Sequence, residues 1–433
     1  MCGPGKKPGL YASPRRTHVT SPGPGRYDRG AVICGSCVSL ESAVHLSRLV
    51  LIVAGLLVLL TACAQPAPEE TPTPTPTITP APEQPTPAPT GTPPATPTTA
   101  PAPAVTPTPE TAREQLLARI ESLPEGHFLV GQWGIFGDGH TPETADEHLE
   151  ELYEMTGHYP AMTGADFGAV SATPQEVTDW LIDKHREGYI VAASYHMRNP
   201  VTGGWVDDTD LGGQTLCDIP ENEAYQEDVE ALAGYLQQLE DAGVVLLWRP
   251  FHEMNGSWCW WGFENHDDCF DDLWRDLYTR LVDEHGLDNL LWVYSPNAPS
   301  GDGSRDFLMS GYPGDEYVDI VGLDKYGACH DDPLDLDIGY DELLETGKLF
   351  MLNEFGGRDT GPSELDEPCS LQDILDGVAE HYPEVKGIMF WEWVWALSSD
   401  DYTGQRAFMN HSAVLSRDDP AWERAGRDSE PNP

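Results

Sequence analysis

Eight short β-rich apolar runs, alternating with longer amphipathic segments, constrain this chain more than any other feature. They are Phe128–Trp133, Ala161–Phe167, Tyr189–His196, Val244–His252, Leu290–Ser295, Val318–Tyr326, Leu349–Phe355 and Gly387–Trp393. Most are followed by a helical pattern, as at Glu143–Thr156, Pro174–Glu187, Glu223–Ala242, Asp271–Glu284 and Ser370–His381. Thr141-Pro142 and Thr173-Pro174 predict helix starts, with Thr capping and Pro in the first turn. Eight βα units in about 300 residues predict an α/β fold, a single (β/α)8 barrel. The competing architecture is an open doubly wound sheet. No phosphate-binding Gly-rich turn follows the first run, which argues against it.

A barrel of this kind puts chemistry at the C-terminal ends of its strands. The polar residues fall there. Strand 2 ends in Asp166, strand 3 in His196, and strand 4 in His252-Glu253. Strand 6 ends in Asp324 and Tyr326, strand 7 in Glu354, and strand 8 in Trp391-Glu392-Trp393. Strands 4 and 7 face each other across an eight-stranded barrel, so Glu253 and Glu354 can converge over its mouth.

The run from Trp248 to Gly262 reads Trp-Arg-Pro-Phe-His-Glu-Met-Asn-Gly-Ser-Trp-Cys-Trp-Trp-Gly. Carboxylates beside flat aromatic faces suit sugar chemistry. A pyranose ring stacks its apolar face on Trp, and a glycosidic oxygen needs a proton donor. A buried Glu against Trp has its neutral form favoured, as a general acid requires. Retaining glycosidases hold two carboxyl groups about 5–5.5 Å apart, one as acid/base and one as nucleophile.

This run resembles glycoside hydrolase family 26, the mannanase-type retaining enzymes. The resemblance covers roughly residues 115–415 and implies the activity, the site and the absence of any cofactor or metal. It implies that Glu253 is the general acid/base and that Trp258 lines the sugar site. The family often has Phe where this chain has Cys259. Met351-Leu352-Asn353-Glu354-Phe355-Gly356 is similar to the family's nucleophile strand, which implies that Glu354 is the nucleophile. Gly322-Leu323-Asp324-Lys325-Tyr326 resembles the family's sixth strand, where the Tyr bonds the nucleophile and the Asp lines the site. Tyr195-His196-Met197-Arg198-Asn199-Pro200 resembles the end of the third, where a His contacts the sugar.

Other roles are expectations from position. His252 orients the acid/base or a sugar hydroxyl, Arg249 steadies the carboxylates from below, and Trp205 and Trp391 offer stacking platforms. Glu392 competes with Glu354 as second carboxylate. The family's usual strand-8 Trp-Arg pair is not clear here, since Glu392 follows Trp391. Family members include β-1,4-mannanases, mixed-linkage β-1,3-1,4-glucanases and β-1,3-xylanases, and the Trp-Cys-Trp-Trp-Gly tail is closest to the mannanase pattern. The reading is therefore an endo-acting β-1,4-mannanase. The alternative is a mixed-linkage β-1,3-1,4-glucanase or a β-1,3-xylanase of the same family; a surface lipoprotein that binds glycan without cutting it ranks below these, since such a binder would lose one carboxylate, and both are present. Asp331, Asp332, Asp335 and Asp337 lack the glycine and terminal Glu of a calcium loop and read as a solvated face.

The 433-residue chain carries a formal charge of −48. Residues 1–50 hold seven Lys/Arg and two Asp/Glu, which leaves 17 basic and 70 acidic residues for the remainder. So acidic a surface argues against nucleic acid and anionic polysaccharides as ligands and suits a neutral polymer. A monomer is expected.

Leu49–Leu60 is a twelve-residue apolar run, short for a membrane span and suited to a signal-peptide core. It leads into Leu60-Thr61-Ala62-Cys63, which looks like a bacterial lipoprotein cleavage box with Cys63 as the lipidated residue. The domain reading is residues 1–43 a mis-assigned start or unstructured extension, 44–62 the signal peptide, 63–110 the lipidated Cys and a Pro/Thr-rich linker, and 111–420 the barrel. A lipid anchor, with no other membrane contact, would hold the enzyme at the outer face of a bacterial membrane. Five further cysteines, 217, 259, 269, 329 and 369, can oxidise after export. Cys259 and Cys269 flank a loop and are the expected pair.

Overall fold

The computed structural model describes residues 111–425, apart from 138, 263–268, 299–307, 328–333, 358–367, 393–394 and 401. The expected signal core, Cys63 and the Pro/Thr linker lie outside them. No helix among the described residues is long and apolar enough to cross a membrane.

The chain enters through helix α1 (Ala112–Glu121), started by Thr111, whose side chain accepts from Glu114 N while Glu114 reaches back to the Thr111 N–H. Eight parallel strands follow: β1 (Phe128–Ile135), β2 (Met162–Asp166), β3 (Ile190–Tyr195), β4 (Leu246–Pro250), β5 (Leu290–Tyr294), β6 (Ile320–Tyr326), β7 (Leu349–Gly356) and β8 (Val385–Phe390). Each pairs with the next, and β8 pairs back on β1 through Leu129↔Gly387 to Gln132↔Phe390. The sheet is therefore a closed (β/α)8 barrel, as the alternation predicts. A short parallel strand, Val414–Leu415, adds to the start of β1.

Helices α2 (Pro142–Thr156), α3 (Pro174–Arg186), α4 (Glu223–Asp241), α5 (Phe270–Tyr278), α6 (Tyr340–Leu344) and α7 (Leu371–Glu380) connect strands. Thr141 and Thr173 cap α2 and α3 with Pro in the first turn, as expected. Gly157 ends α2 at φ 88°, a left-handed position a Cβ would disfavour. The helix expected over Asp271–Glu284 changes period instead, passing from α5 into a π-helical turn at Thr279–Glu284.

Apolar side chains fill two regions. One lies between strands and helices; the other includes Trp133, Met162, Leu247, Met351 and Met389. The Trp133 indole N–H donates to Asn353 O at 2.8 Å. Small residues let the strands close: a Cβ on Gly131 would lie 2.0 Å from the Met389 sulfur.

Two strands stop earlier than their apolar runs predict. β4 ends at Pro250 because Phe251 (φ 47°) and Glu253 (φ 56°) take left-handed backbone. β8 ends at Phe390 rather than Trp393. The expected Cys259–Cys269 bridge does not form. Cys269 is bonded to Cys217, with their Cα atoms 5.1 Å apart, while Cys259 is a buried free thiol. Cys269 sits at the N-terminus of α5 beside the turn Leu216–Glu221, so its nearest cysteine in space is distant in sequence.

Candidate active site

Arg249, near the end of β4, organises the floor of the barrel mouth. Its side chain is 2% exposed, and its guanidinium carbon lies 5.1 Å from the Trp133 ring centre. Nη1 donates to Asp324 Oδ2 at 2.6 Å, and Nη2 donates to Glu354 Oε1. Burial opposes the Arg249 charge, but Asp324 and then Glu354 outweigh it and raise its pKa. Asp324 also accepts from Ser295 Oγ at 2.7 Å and is fully buried. It braces Arg249 and presents no open surface to a ligand, so the expectation that it lines the sugar site is corrected. Burial pushes the Asp324 carboxyl up; Arg249 pulls against this, and the charges of Glu354 and Glu253 add to it.

Glu354 extends from β7, where the ladder pairs it with Asp324. Its second oxygen accepts from the Tyr326 hydroxyl at 2.6 Å, the contact the sequence predicts. Burial, followed by the Glu354 charge, keeps Tyr326 protonated far above its ordinary value. The phenol is therefore a permanent donor.

Glu253 stands on the turn after β4. Oε2 accepts from the Trp258 indole at 2.6 Å, and Oε1 accepts from Asn297 Nδ2 at 2.9 Å. Burial and then the nearby Glu354 raise the Glu253 pKa; the bonds from Asn297 and Trp258 pull it back. Oxygens of Glu253, Asp324 and Glu354 all lie within 4.8 Å of one another. Two of the three, Asp324 and Glu354, are paired directly with the buried guanidinium of Arg249.

His196 and His252 adjoin this cluster. His196 Nδ1 lies 2.8 Å from Asp166 Oδ2, and its Nε2 lies 3.2 Å from His252 Nε2. Burial opposes a charge on His196, but Asp166 overrides it and raises the pKa. Burial likewise disfavours charge on Asp166, yet His196 draws its pKa down. Burial, then the charges of Arg249 and His196, hold His252 well below its ordinary value. The two rings therefore differ, with charge favoured on His196 and disfavoured on His252. His252 is buried and its Nε2 lies 3.8 Å from Glu354 Oε1, so it does not orient Glu253 as expected.

The aromatic candidates differ. Trp258 is 46% exposed beside Glu253 and offers an open ring. Trp391 is 8% exposed, packed on Trp133 and Phe136 with centroids 5.6 and 5.4 Å away, which leaves little face for stacking. Trp205 borders a cavity of about 920 Å³ that His196 also lines, with the Arg198 guanidinium 5.2 Å from its ring. Glu392 turns away from the pair. It accepts from Gly137 N at 2.9 Å and contacts His140 Nδ1, tying the loop after β1.

Residues 105–418 match the family described as glycosyl hydrolase family 26. The chain belongs to that family. A mannan endo-1,4-beta-mannosidase of Bacillus subtilis is 30% identical over 296 residues, 64% of this chain and 78% of that protein. Another, from Bacillus subtilis strain 168, is 28% identical over 321 residues, 70% of this chain and 83% of that protein. The solved structure of a Bacillus subtilis mannanase aligns with a TM-score of 0.60 at 27% identity, covering 71% of this chain and 93% of that one.

For this family 26 glycoside hydrolase, sequence reasoning missed Asn297 as a partner of Glu253. The polar run Ser295-Pro296-Asn297 after β5 was the available signal, since it occupies the same barrel end as the other polar residues. Ser194 was also missed; its hydroxyl donates to Asp166 Oδ2 at 2.5 Å inside β3. Asp335 and Asp337 are exposed, as a solvated face predicts. Asp331 and Asp332 lie outside the described residues.

Proposed function

We propose that this enzyme hydrolyses β-1,4-mannan internally by a retaining double displacement, with Glu253 as acid/base and Glu354 as nucleophile. The carrying observation is the pair of carboxylates within 4.8 Å, one with a raised pKa and one bonded to Arg249 and Tyr326. In the first step Glu253 protonates the glycosidic oxygen while a Glu354 oxygen attacks the anomeric carbon and the glycosidic bond breaks. The product is a glycosyl ester of Glu354. In the second step Glu253, now ionised, takes a proton from water; the water oxygen bonds the anomeric carbon and releases Glu354. Two inversions give net retention. The mannan endo-1,4-beta-mannosidase relatives support mannan as the polymer.

A reducing-sugar assay on galactomannan, barley β-glucan and β-1,3-xylan tests the substrate. Activity confined to galactomannan is expected; preferred cleavage of either other polymer overturns the mannanase reading. Proton NMR of the first-formed anomer tests retention.

The same reading includes export and a lipid anchor at Cys63, on the strength of the apolar run and the Leu60-Thr61-Ala62-Cys63 box. The linker's roughly 45 residues, at about 3 Å each, would give a reach on the order of 100 Å. Cys63→Ser should release the protein from the membrane fraction or leave it unprocessed. A soluble mature protein with an unmodified Cys63 would refute the anchor.

A further inference from the structure

The turn that carries Glu253 is held in a conformation that its own residues disfavour. Phe251 and Glu253 both have positive φ, and neither is glycine. Such residues are strained and persist only where surrounding contacts over-determine them. The contacts here come from the neighbouring turn after β5. Glu253 N donates to Ser295 O at 2.8 Å. Asn255, fully buried, reads both polar groups of the Asn297 backbone: its Oδ1 accepts from Asn297 N, and its Nδ2 donates to Asn297 O, each at 2.8 Å. These reciprocal bonds also fix which amide atom of Asn255 is oxygen. On its other side the turn is tied to β6, where Asp324 N donates to Pro296 O at 3.0 Å and Ala298 N donates to Asp324 O at 2.8 Å. From this braced position Asn297 Nδ2 donates to Glu253 Oε1.

We propose that Asn297, locked by the side chain of Asn255, is the positioning residue that holds the Glu253 carboxyl in line with the leaving group. This rests on the reading of Glu253 as acid/base. The other donor to Glu253, Trp258, sits on the open side of the site at 46% exposure, where a sugar would meet it. Asn297 is the donor anchored from behind, through β5 and β6. Its neutral N–H also favours the ionised carboxyl, the form the second step needs as a base, against the burial that favours the acid.

The test compares Asn297→Ala with the unaltered enzyme on an unactivated manno-oligosaccharide and on a dinitrophenyl β-mannobioside. Attack on the activated glycoside needs no protonation, so its first step should be spared. kcat/KM on the oligosaccharide should fall about ten- to a hundredfold. Loss of the N–H donor raises the Glu253 pKa, so the alkaline limb of the kcat/KM profile should move to higher pH. Asn255→Ala should reproduce the leaving-group dependence with a smaller loss. An unmoved limb with equal losses on both substrates would make Asn297 a structural residue only, as would an unchanged rate. If Asn297→Ala fails to fold, Asn297→Ser keeps a small polar group there that cannot reach Oε1, and the same readouts apply. Failure of the acid/base reading itself shows separately: Glu253→Ala would then keep the alkaline limb and lose rate equally on both substrates.

Discussion

Glu253 and Glu354 are the same amino acid at the same barrel mouth, in opposite settings. Glu354 lies on β7 where the ladder register shifts, with a buried guanidinium on one oxygen and a phenol on the other. Glu253 stands on a left-handed turn beyond its strand, partly buried, with two neutral N–H donors and, among the described residues, no bonded cation. The first setting gives one carboxyl a charged and a neutral donor. The second gives the other carboxyl neutral donors alone, which suits the acid/base role proposed for it. Burial and the Glu354 charge raise the Glu253 pKa. The difference between the two settings therefore resides in backbone geometry and donor charge, since the side chains are identical.

Substitutions can break this comparison at several points. Glu354→Ala should have the largest effect, abolishing turnover by at least about 10³-fold on every substrate. Rates near normal would remove Glu354 as nucleophile and promote Glu392, despite its ties to Gly137 and His140. Glu253→Ala should cost about 10²–10⁴-fold on poor leaving groups and far less on activated aryl glycosides. Equal losses on both would sink the acid/base role.

Arg249→Met tests the floor beneath the pair. It removes the single cation from between Asp324 and Glu354, both buried, and should destabilise the fold by about 3–5 kcal/mol, readable by urea denaturation. A loss under about 1 kcal/mol would mean that the two acids share a proton without help from Arg249. Trp258→Phe is the mildest change. It keeps an aromatic ring and deletes one donor that lowers the Glu253 pKa, so the alkaline limb of kcat/KM should rise while kcat at the optimum changes little. A limb that moves down would reverse the sign assigned to that bond.

The strands were legible because their apolar composition reports burial, a local property. For the same reason the strand-end carboxylates could be picked out: polar side chains after apolar runs fall where a barrel keeps its chemistry. Directions were not legible. His252 lies on the turn two residues beyond β4, flanked by the left-handed Phe251 and Glu253, and its ring meets His196. Asp324 was found, but nothing in Gly322-Leu323-Asp324 signals that Arg249 and Ser295 would enclose it. Cysteine pairing failed for the plainest reason. Cys259 is near Cys269 along the chain, whereas the bond depends on where the turn at Leu216–Glu221 comes to lie.

That bond spans 52 residues, and the loop it closes holds all of α4, β4 and the turn that carries Glu253. Closing a loop of this length removes about 4 kcal/mol of chain entropy from the unfolded ensemble at 25 °C in the loop-entropy account. A reducing compartment withholds that contribution and an oxidising one supplies it. The segment from Cys217 to Cys269, with Glu253 on it, is thus held in a loop whose closure depends on where the chain resides.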